Sequence, residues 1–266
     1  KRRKLLTTTS LITVIVVTFG IMSLTSVVPY FGLSYAPTPL GNPVYNGLLT
    51  KQVLQSAPGN MFDPKILDVL KYYVGDKGII CPRIWSYPVS HRGSEVYGEV
   101  YSTNEGRTFR VKGILGLSPG EFSLMEYGSA LSGRWFVEER EYSTIISEEA
   151  AKALNVQIGD RVRIGSLNLM VIGIYKSVVL NQFVDIDNYP ITPVEPNSVA
   201  LLLAGQVLEE SRVHMSWDEI IVVPHGVALD LGGYISSIAI RMEDTQFLQE
   251  VAKKLAQTLE NTFFYM

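Results

Sequence analysis

Apolar and polar positions divide the chain into an uncharged N-terminal run and a longer, mixed remainder. Residues 5–28 contain no charged side chain and follow the four cations Lys1-Arg2-Arg3-Lys4. A helix over these 24 residues rises about 36 Å, which is enough to cross a hydrocarbon core of about 30 Å with some tilt. The pattern therefore predicts a transmembrane helix at residues 1–28, with the N-terminus cytoplasmic and the main domain outside the cytoplasm.

Two alternatives to a membrane span fit the same run less well. A cleaved signal peptide has an apolar core of roughly 7–15 residues, and here Pro37 follows the nearest small-residue cleavage site, Ser34-Tyr35-Ala36. A buried core helix would carry a polar face, whereas this run offers only hydroxyl groups and Gly20. Because hydroxyl groups can hydrogen-bond to a neighbouring helix, we expect this helix to pack against other membrane helices.

The first part of the remainder predicts a helix followed by a β-meander. Asp63-Pro64 is typical of a helix start, and apolar residues then recur at helical spacing from Ile66 to Val74. Three stretches rich in β-branched and aromatic residues predict strands, namely Ile79–Trp85, Glu95–Ser102 and Thr108–Leu117.

The middle of the chain predicts a short helix and a β-hairpin. Ser147 is a suitable N-cap for a helix that ends at Leu154, and Asn155 suits a left-handed exit. Alternating apolar residues on both sides of Gly165-Ser166 predict a hairpin over residues 161–171. Three prolines between Asp187 and Asn197 predict a loop.

The last part predicts two strands, Glu219–Val223 and Tyr234–Arg241, and a final amphipathic helix capped by Asp244. The first part has a helix before its strands, and the last part has strands before its helix. This order predicts an α+β fold in which the N-terminal and C-terminal parts pair and the middle part is inserted between them. The predicted divisions are a transmembrane helix at 1–28, a split lobe at 29–117 and 198–266, and an inserted mostly-β lobe at 118–197.

Charge and cysteine content narrow the possible ligands and environment. The residues after the apolar run hold 19 of the 23 basic side chains and all 26 acidic ones, a formal charge of −7. This balance disfavours nucleic acid and anionic membrane surfaces as ligands of the outer portion. Cys81, the single cysteine, cannot form an intramolecular disulfide, so we expect it to be a small buried apolar group.

Two motifs resemble functional sites but lack a required part. Gly116-Leu117-Ser118-Pro119-Gly120 matches the spacing of a nucleophile elbow, yet Pro119 has no N–H to serve as the oxyanion donor, so we predict a plain turn. Asp185-Ile186-Asp187-Asn188 resembles the start of a calcium loop, but Pro190 and Pro196 occupy its glycine and glutamate positions. We interpret that stretch as a solvated loop.

The remaining candidate side chains show no catalytic or metal-binding spacing. His91, His214 and His225 form no close ligand pair, and we expect surface or hydrogen-bonded positions for them. The acidic cluster around Glu138, Glu139 and Glu141 is typical of a solvated face. The sequence contains no Walker loop, dinucleotide fingerprint or kinase motif, so it predicts no enzyme and no catalytic, cofactor-binding or metal-binding residues.

One block of the chain resembles a known family. The block begins at Gly133 and Phe136, continues with Ser147 and the segment Ala151–Ile164, and closes with Val171–Ile174; a second match covers Glu219–Met242. These stretches are similar to the MacB-like periplasmic core domain of ABC transporter permeases, in the superfamily that includes the FtsX and LolC/LolE types.

The resemblance implies a two-lobed outer domain, with a split porter-like lobe and an inserted mostly-β lobe, mounted on the first helix of a permease. It also implies a separate ABC ATPase subunit or domain that binds the ATP, a permease dimer, and an extracytoplasmic substrate or partner protein. Helix movements would then be transmitted across the cell membrane to the outer domain.

The chain departs from the family at its end. Members normally continue with three more membrane helices, whereas this sequence stops at Met266, and it also begins without methionine. We therefore expect a segment of a longer permease. The alternatives are a single-span, membrane-tethered binding module without transport and an anchored hydrolase that uses Ser118.

Overall fold

A computed structural model of the chain describes residues 45–52, 62–87, 91–92, 95–96, 98–196, 213–259 and 262–265. The predicted membrane helix at 1–28, the proline-rich segment after it and Met266 lie outside these residues. Among the helices that the structure describes, none combines the length and apolarity needed to cross a membrane.

Most strands belong to one large mixed sheet. In chain order the strands are β1 (Gly47–Gln52), β2 (Gly78–Ser86), β3 (His91–Arg92), β4 (Glu95–Val96), β5 (Gly98–Ser102), β6 (Thr108–Val111), β7 (Gly113–Leu117), β8 (Leu131–Gly133), β9 (Ser143–Ser147), β10 (Arg161–Ile164), β11 (Leu167–Tyr175), β12 (Ile220–Pro224), β13 (Tyr234–Met242) and β14 (Thr262–Tyr265). Within the described residues, twelve of them form a sheet in the order β14-β1-β13-β2-β7-β12-β9-β11-β10-β5-β6, with β8 beside β11, while β3 and β4 pair separately. The predicted strands are thus confirmed with boundaries shifted by a few residues, except that Glu95–Ser102 divides into β4, outside the large sheet, and β5. The predicted β-meander is wrong, because β2 pairs with β7 and β13 and β5 pairs with β6 and β10.

The sheet curls back on itself at Lys112. This residue alone separates β6 from β7, yet β6 is the last strand of the sheet and β7 lies near its middle. Because one residue spans less than 4 Å, residues 108–117 must form one bent strand; its first half pairs with β5 and its second half with β2 and β12. At the bend, the backbone N–H of Lys112 donates to the carbonyl of Glu219 at 2.7 Å. The strands from β12 to β5 therefore close into a barrel-like ring.

Helices cover one face of the sheet. The described helices are α1 (Ile66–Val74), α2 (Glu148–Leu154), α3 (Ser177–Leu180), α4 (His225–Asp230) and α5 (Thr245–Thr258). Buried side chains of α1, α2, α4 and α5 share one apolar cluster with alternate residues of the strands, such as Ile84. Strand side chains alternate between faces, so intervening residues such as Trp85 belong to a second cluster on the opposite face.

The second face carries mostly irregular structure, here called the loop layer, which comprises residues 118–136, 180–194 and 215–217. Its buried apolar members include Leu124, Tyr127, Phe136, Ile191 and Trp217. A 3-10 helix, Pro119–Ser123, begins this layer directly after β7. In the described domain, the four longer helices therefore lie on one face, whereas the loop layer on the other face includes only short helical turns and the end of α3.

Helix ends follow the local sequence. The Ser147 side chain accepts a hydrogen bond from the backbone N–H of Ala150, and Asn155 ends α2 at a φ of 53°. Asp244 accepts from the N–H groups of Gln246 and Phe247 at the start of α5. The predicted caps at Ser147, Asn155 and Asp244 are confirmed. The N-cap predicted at Asp63 is wrong, because α1 begins at Ile66 and its N-cap is Lys65.

The strands predicted for both lobes lie in the same sheet, within a mixed α/β fold that agrees with the predicted α+β class. β5 and β6 belong by sequence to the first part at 29–117, but β5 pairs with β10 from the range 118–197. A division into lobes at these boundaries stays a prediction.

Candidate functional site

Among the described residues, no hydrogen-bond partner of the Ser118 hydroxyl could act as a general base. Ser118 immediately precedes the 3-10 helix Pro119–Ser123, and its carbonyl accepts a hydrogen bond from Trp135 Nε1 at 3.1 Å. Its hydroxyl is buried beside the Cys81 thiol. A serine nucleophile needs a neighbouring general base, so this geometry favours a role in chain packing.

Asp185 and Asp187 are buried, so the prediction of a solvated loop at this position is wrong. Asp185 is 1% exposed, and the side chain of Asp187 is 2% exposed. The loop turns tightly, because the Asp185 N–H donates to the carbonyl of Tyr189 at 2.9 Å and Asn188 has a φ of 66°. Both carboxylates point towards cations on the sheet.

Arg83 is the centre of a buried group of charges. This residue lies on β2, on the loop-layer face, and is 0% exposed. Its guanidinium donates to Glu121 Oε1 through Nη2 at 2.8 Å and Nε at 3.0 Å, and it also pairs with Asp185. The hydroxyl of Tyr127 lies 3.4 Å from the same Glu121 oxygen. Arg83 thus connects the sheet to two separate segments of the loop layer.

A second ion pair extends this group to the neighbouring part of the sheet. Lys51 on β1 pairs with Asp187, and the Lys51 side chain is only 11% exposed. Because Asp185 and Asp187 share one short loop, the two ion pairs are joined through it. We call the five residues Lys51, Arg83, Glu121, Asp185 and Asp187 the ionic cluster.

Burial shapes the protonation of the groups around the ionic cluster. It raises the pKa of Glu121, although the charge of Arg83 offsets part of that rise. Burial also raises the pKa of Tyr127 well above its ordinary value and brings the pKa of the Cys81 thiol to about 12. Reactive cysteines have lowered pKa values, so Cys81 is an inert buried thiol, as the sequence predicts.

The ionic cluster holds structure together. Removing one partner from a buried ion pair typically costs about 3–5 kcal/mol, because the other charge is left uncompensated. The cluster therefore fixes the loop layer to β1 and β2. Among the described residues, no group of three or more His, Cys, Asp and Glu side chains is arranged to hold a metal ion.

A cleft of about 530 Å³ lies next to the ionic cluster. Its walls are Tyr45 and Asn46 before β1, Arg241–Glu243 at the end of β13, and part of the segment 122–129. Arg241 Nη1 donates to the carbonyl of Ser123 at 2.7 Å and ties two of these walls together. Phe122 is 42% exposed at the rim.

The other predicted polar residues lie elsewhere. Glu138 and Glu139 are exposed, as predicted, and Glu141 pairs with Arg134. His225 is buried at the start of α4, its Nε2 lies 3.6 Å from Glu139 Oε2, and its Nδ1 has no hydrogen-bond partner among the described residues. The expectation of a surface or hydrogen-bonded position is therefore wrong for His225.

The ionic cluster was not found in the sequence, although one indication of it was present. Arg83 is a lone charge within the apolar stretch Ile79–Trp85, and a charge inside a buried strand requires a partner. Its partners lie 38 and 102 residues away, so no short motif joins them.

Several solved structures of transporter and permease domains are similar to this chain. The periplasmic region of MacB from Actinobacillus actinomycetemcomitans has a similar structure, with 16% identity, a TM-score of 0.49, and coverage of 82% of this chain and 87% of that chain. The extracellular domain of the noncanonic ABC-type transporter YknZ from Gram-positive bacteria is 14% identical, with a TM-score of 0.47 and coverage of 83% of this chain and 100% of that chain. A domain of a putative permease protein from Porphyromonas gingivalis is 12% identical, with a TM-score of 0.43 and coverage of 84% of this chain and 89% of that chain.

No curated protein matches the chain. The family described as MacB-like periplasmic core domain matches residues 10–258, nearly the whole chain. On the strength of this match, the chain belongs to the MacB-like periplasmic core domain family.

Proposed function

We propose that this chain is the extracytoplasmic domain and first membrane helix of an ABC transporter permease. In this role it transmits ATP-driven motion across the membrane to an outer substrate or partner protein. The family match supports the proposal because it starts at residue 10, inside the uncharged run 5–28. The four leading cations favour a cytoplasmic N-terminus.

The partners follow from what the sequence lacks. No nucleotide-binding motif is present in the chain, so the ATP is bound by a separate ABC ATPase subunit or domain. A dimer of permeases would bring two outer domains together, and the hydroxyl-rich helix at 1–28 would pack against other membrane helices. The proposed role is mechanical and not enzymatic.

The position of the terminal strands is the observation that carries the proposal. β1 and β14 are antiparallel neighbours, with Leu49 opposite Tyr265 and Gln52 opposite Thr262. The chain therefore enters and leaves the described domain at the same end of the sheet. A domain held in this way responds to a relative displacement of its two connections.

Thiol labelling tests whether the described domain lies outside the cytoplasm. Cys81 is buried and has a thiol pKa of about 12, so the unaltered protein should remain unlabelled. Tyr72→Cys places a thiol on α1 at a position that is 83% exposed. We expect a membrane-impermeant maleimide to label this variant in intact spheroplasts. Labelling only after lysis would contradict the outer location.

The transmission of motion requires the complete permease. A spin label at Tyr72→Cys would report the distance between two copies in the permease copurified with its ATPase. We expect this distance to differ between the nucleotide-free and ATP-bound states. An unchanged distance would overturn the mechanical role, and failure of any ATPase to copurify would favour the membrane-tethered binding module.

A further inference from the structure

We propose that the ionic cluster is a stiff link that makes the segment 119–129 of the loop layer move together with β1. This inference rests on the proposed function and specifies which part of the domain receives the motion.

β1 is the strand on which motion would arrive. It lies between β13 and β14, and its first residue, Gly47, follows the connection from the N-terminal part of the chain. Backbone ladders join it to both neighbours. Its Lys51 side chain points to the loop-layer face, the same face as Leu49, because alternate strand residues share a face.

The first step of the link runs from Lys51 to the loop that contains Asp185 and Asp187. Lys51 pairs with Asp187, whose Oδ1 also accepts from the Tyr189 N–H at 3.2 Å. The Asp185 Oδ1 accepts from the Ile186 N–H at 2.8 Å. These bonds make the loop a compact unit, so a displacement of Asp187 carries Asp185 with it.

The second step runs from Asp185 to the segment 119–129. Asp185 pairs with Arg83, and Arg83 holds Glu121 through two donors. Glu121 lies in the 3-10 helix Pro119–Ser123, and Tyr127 contacts the same carboxylate from the end of the segment. Glu121 is thus tied to Lys51 through Arg83 and the loop 185–187.

The chemistry of the link explains its stiffness. Apolar contacts are non-directional, so they do not by themselves determine which residue of one segment moves with which residue of another. Buried ion pairs are different, because separating them exposes an uncompensated charge to a medium of low dielectric constant. A displacement of β1 therefore carries the partner segment along and leaves the ion pairs intact.

The receiving segment forms a wall of the cleft of about 530 Å³. Motion passed through Glu121 would pull on this wall, including the rim residue Phe122, and would load the hydrogen bond that joins the Ser123 carbonyl to Arg241 on β13. The proposed link therefore delivers the motion of β1 to the wall of this cleft.

Hydrogen exchange of the full chain in detergent tests the link without an ATPase. The double substitution Lys51→Met/Asp187→Asn removes one ion pair with little change in shape or net charge. We expect the backbone amides of residues 119–129 and 185–189 to exchange at least about 10-fold faster than in the unaltered protein. The segment 119–129 is the decisive one, because it is joined to Lys51 through Arg83 and the loop 185–187. Amides in α2 and β10 should exchange at the unaltered rate.

Two further variants show whether the effect belongs to the link. Glu250→Gln/Lys254→Met removes a comparable pair on the exposed surface of α5 and should change neither segment. Lys51→Arg keeps the charge and should retain the slow exchange of both segments.

Two outcomes would overturn the link. One is faster exchange confined to 185–189 in the double variant, and the other is no change in either segment. Because this measurement needs no nucleotide, its failure is distinct from the failure of the nucleotide-dependent distance change described above.

Discussion

At the scale of single residues, this domain places charged and titratable groups where water is excluded. Arg83 has two carboxylate partners, whereas the buried ring of His225 has only the largely exposed Glu139 near one nitrogen. Burial lowers the pKa of His225 below 6.5; nearby Arg140 and Lys71 add to this effect, and Glu139 opposes it. His225 is therefore neutral in the folded state at neutral pH.

The lowered pKa of His225 predicts a loss of stability in mild acid. Below about pH 6.5 the unfolded chain binds a proton that the folded chain resists, so the free energy of unfolding falls until the lower pKa of the folded state is reached. His225→Gln should reduce the slope of this free energy between pH 7 and about 5, as measured by urea denaturation. The control is His214→Gln, which alters the other histidine with a described side chain; a reduced slope in the control alone would contradict the assignment to His225.

The burial of some single residues could be predicted from the sequence, and the burial of others could not. Burial of Cys81 could be predicted because an unpaired cysteine is commonly a small core residue. Burial of Asp185 and Asp187 could not, because an aspartate-rich stretch between prolines has the composition of a solvated loop. Only the fold brings Arg83 and Lys51 within reach of these carboxylates.

At the scale of elements, the local sequence determined the helix ends well. Capping depends on bonds between a side chain and backbone groups two or three residues away, so Ser147, Asn155 and Asp244 could each be placed without knowledge of the fold. At residues 116–120 the sequence predicts a plain turn, and the structure has the 3-10 helix Pro119–Ser123 at this place.

The cap of α5 can be tested directly. Asp244→Ala removes the acceptor for the Gln246 and Phe247 N–H groups and should lower the free energy of unfolding by about 1 kcal/mol. Glu243→Ala is the matched control, because it removes a neighbouring exposed acid outside the cap. Equal losses in the two variants, measured by urea denaturation, would contradict the capping role.

At the scale of the whole molecule, one sheet carries both apolar clusters. All three tryptophans, Trp85, Trp135 and Trp217, pack in or against the loop-layer cluster. The helices α1, α2, α4 and α5 lie against the other face. Tryptophan fluorescence therefore reports on the loop-layer face, whereas far-UV circular dichroism reports on the backbone of the helices and strands together.

We expect the described domain to unfold as one cooperative unit. Because the strands are shared, loss of one apolar cluster exposes the back of the other, and the two faces should be lost together. Urea transitions followed by fluorescence and by circular dichroism should coincide within error. Two separated midpoints would show that the faces, or the predicted lobes, unfold independently.

The strand order was beyond sequence analysis for a physical reason. Hydrophobic alternation reveals which residues form strands, but a strand such as β5 contains nothing that specifies β10 as its neighbour. Next to this bend, Gly113 packs closely against distant segments, because a Cβ atom there would lie 2.7 Å from Met215 Sδ and 3.2 Å from Pro193 Cγ. Such contacts between distant segments appear only after the sheet is assembled.

The bent strand at residues 108–117 limits how the domain can be exchanged between relatives. A graft cut at residues 118 and 197 would leave β5 and the first half of the bent strand in the recipient, facing a foreign β10. A chimera that carries residues 98–117 with the donor segment would keep those ladders native. The module that evolution or an engineer can transplant is therefore larger than the middle stretch of the chain alone.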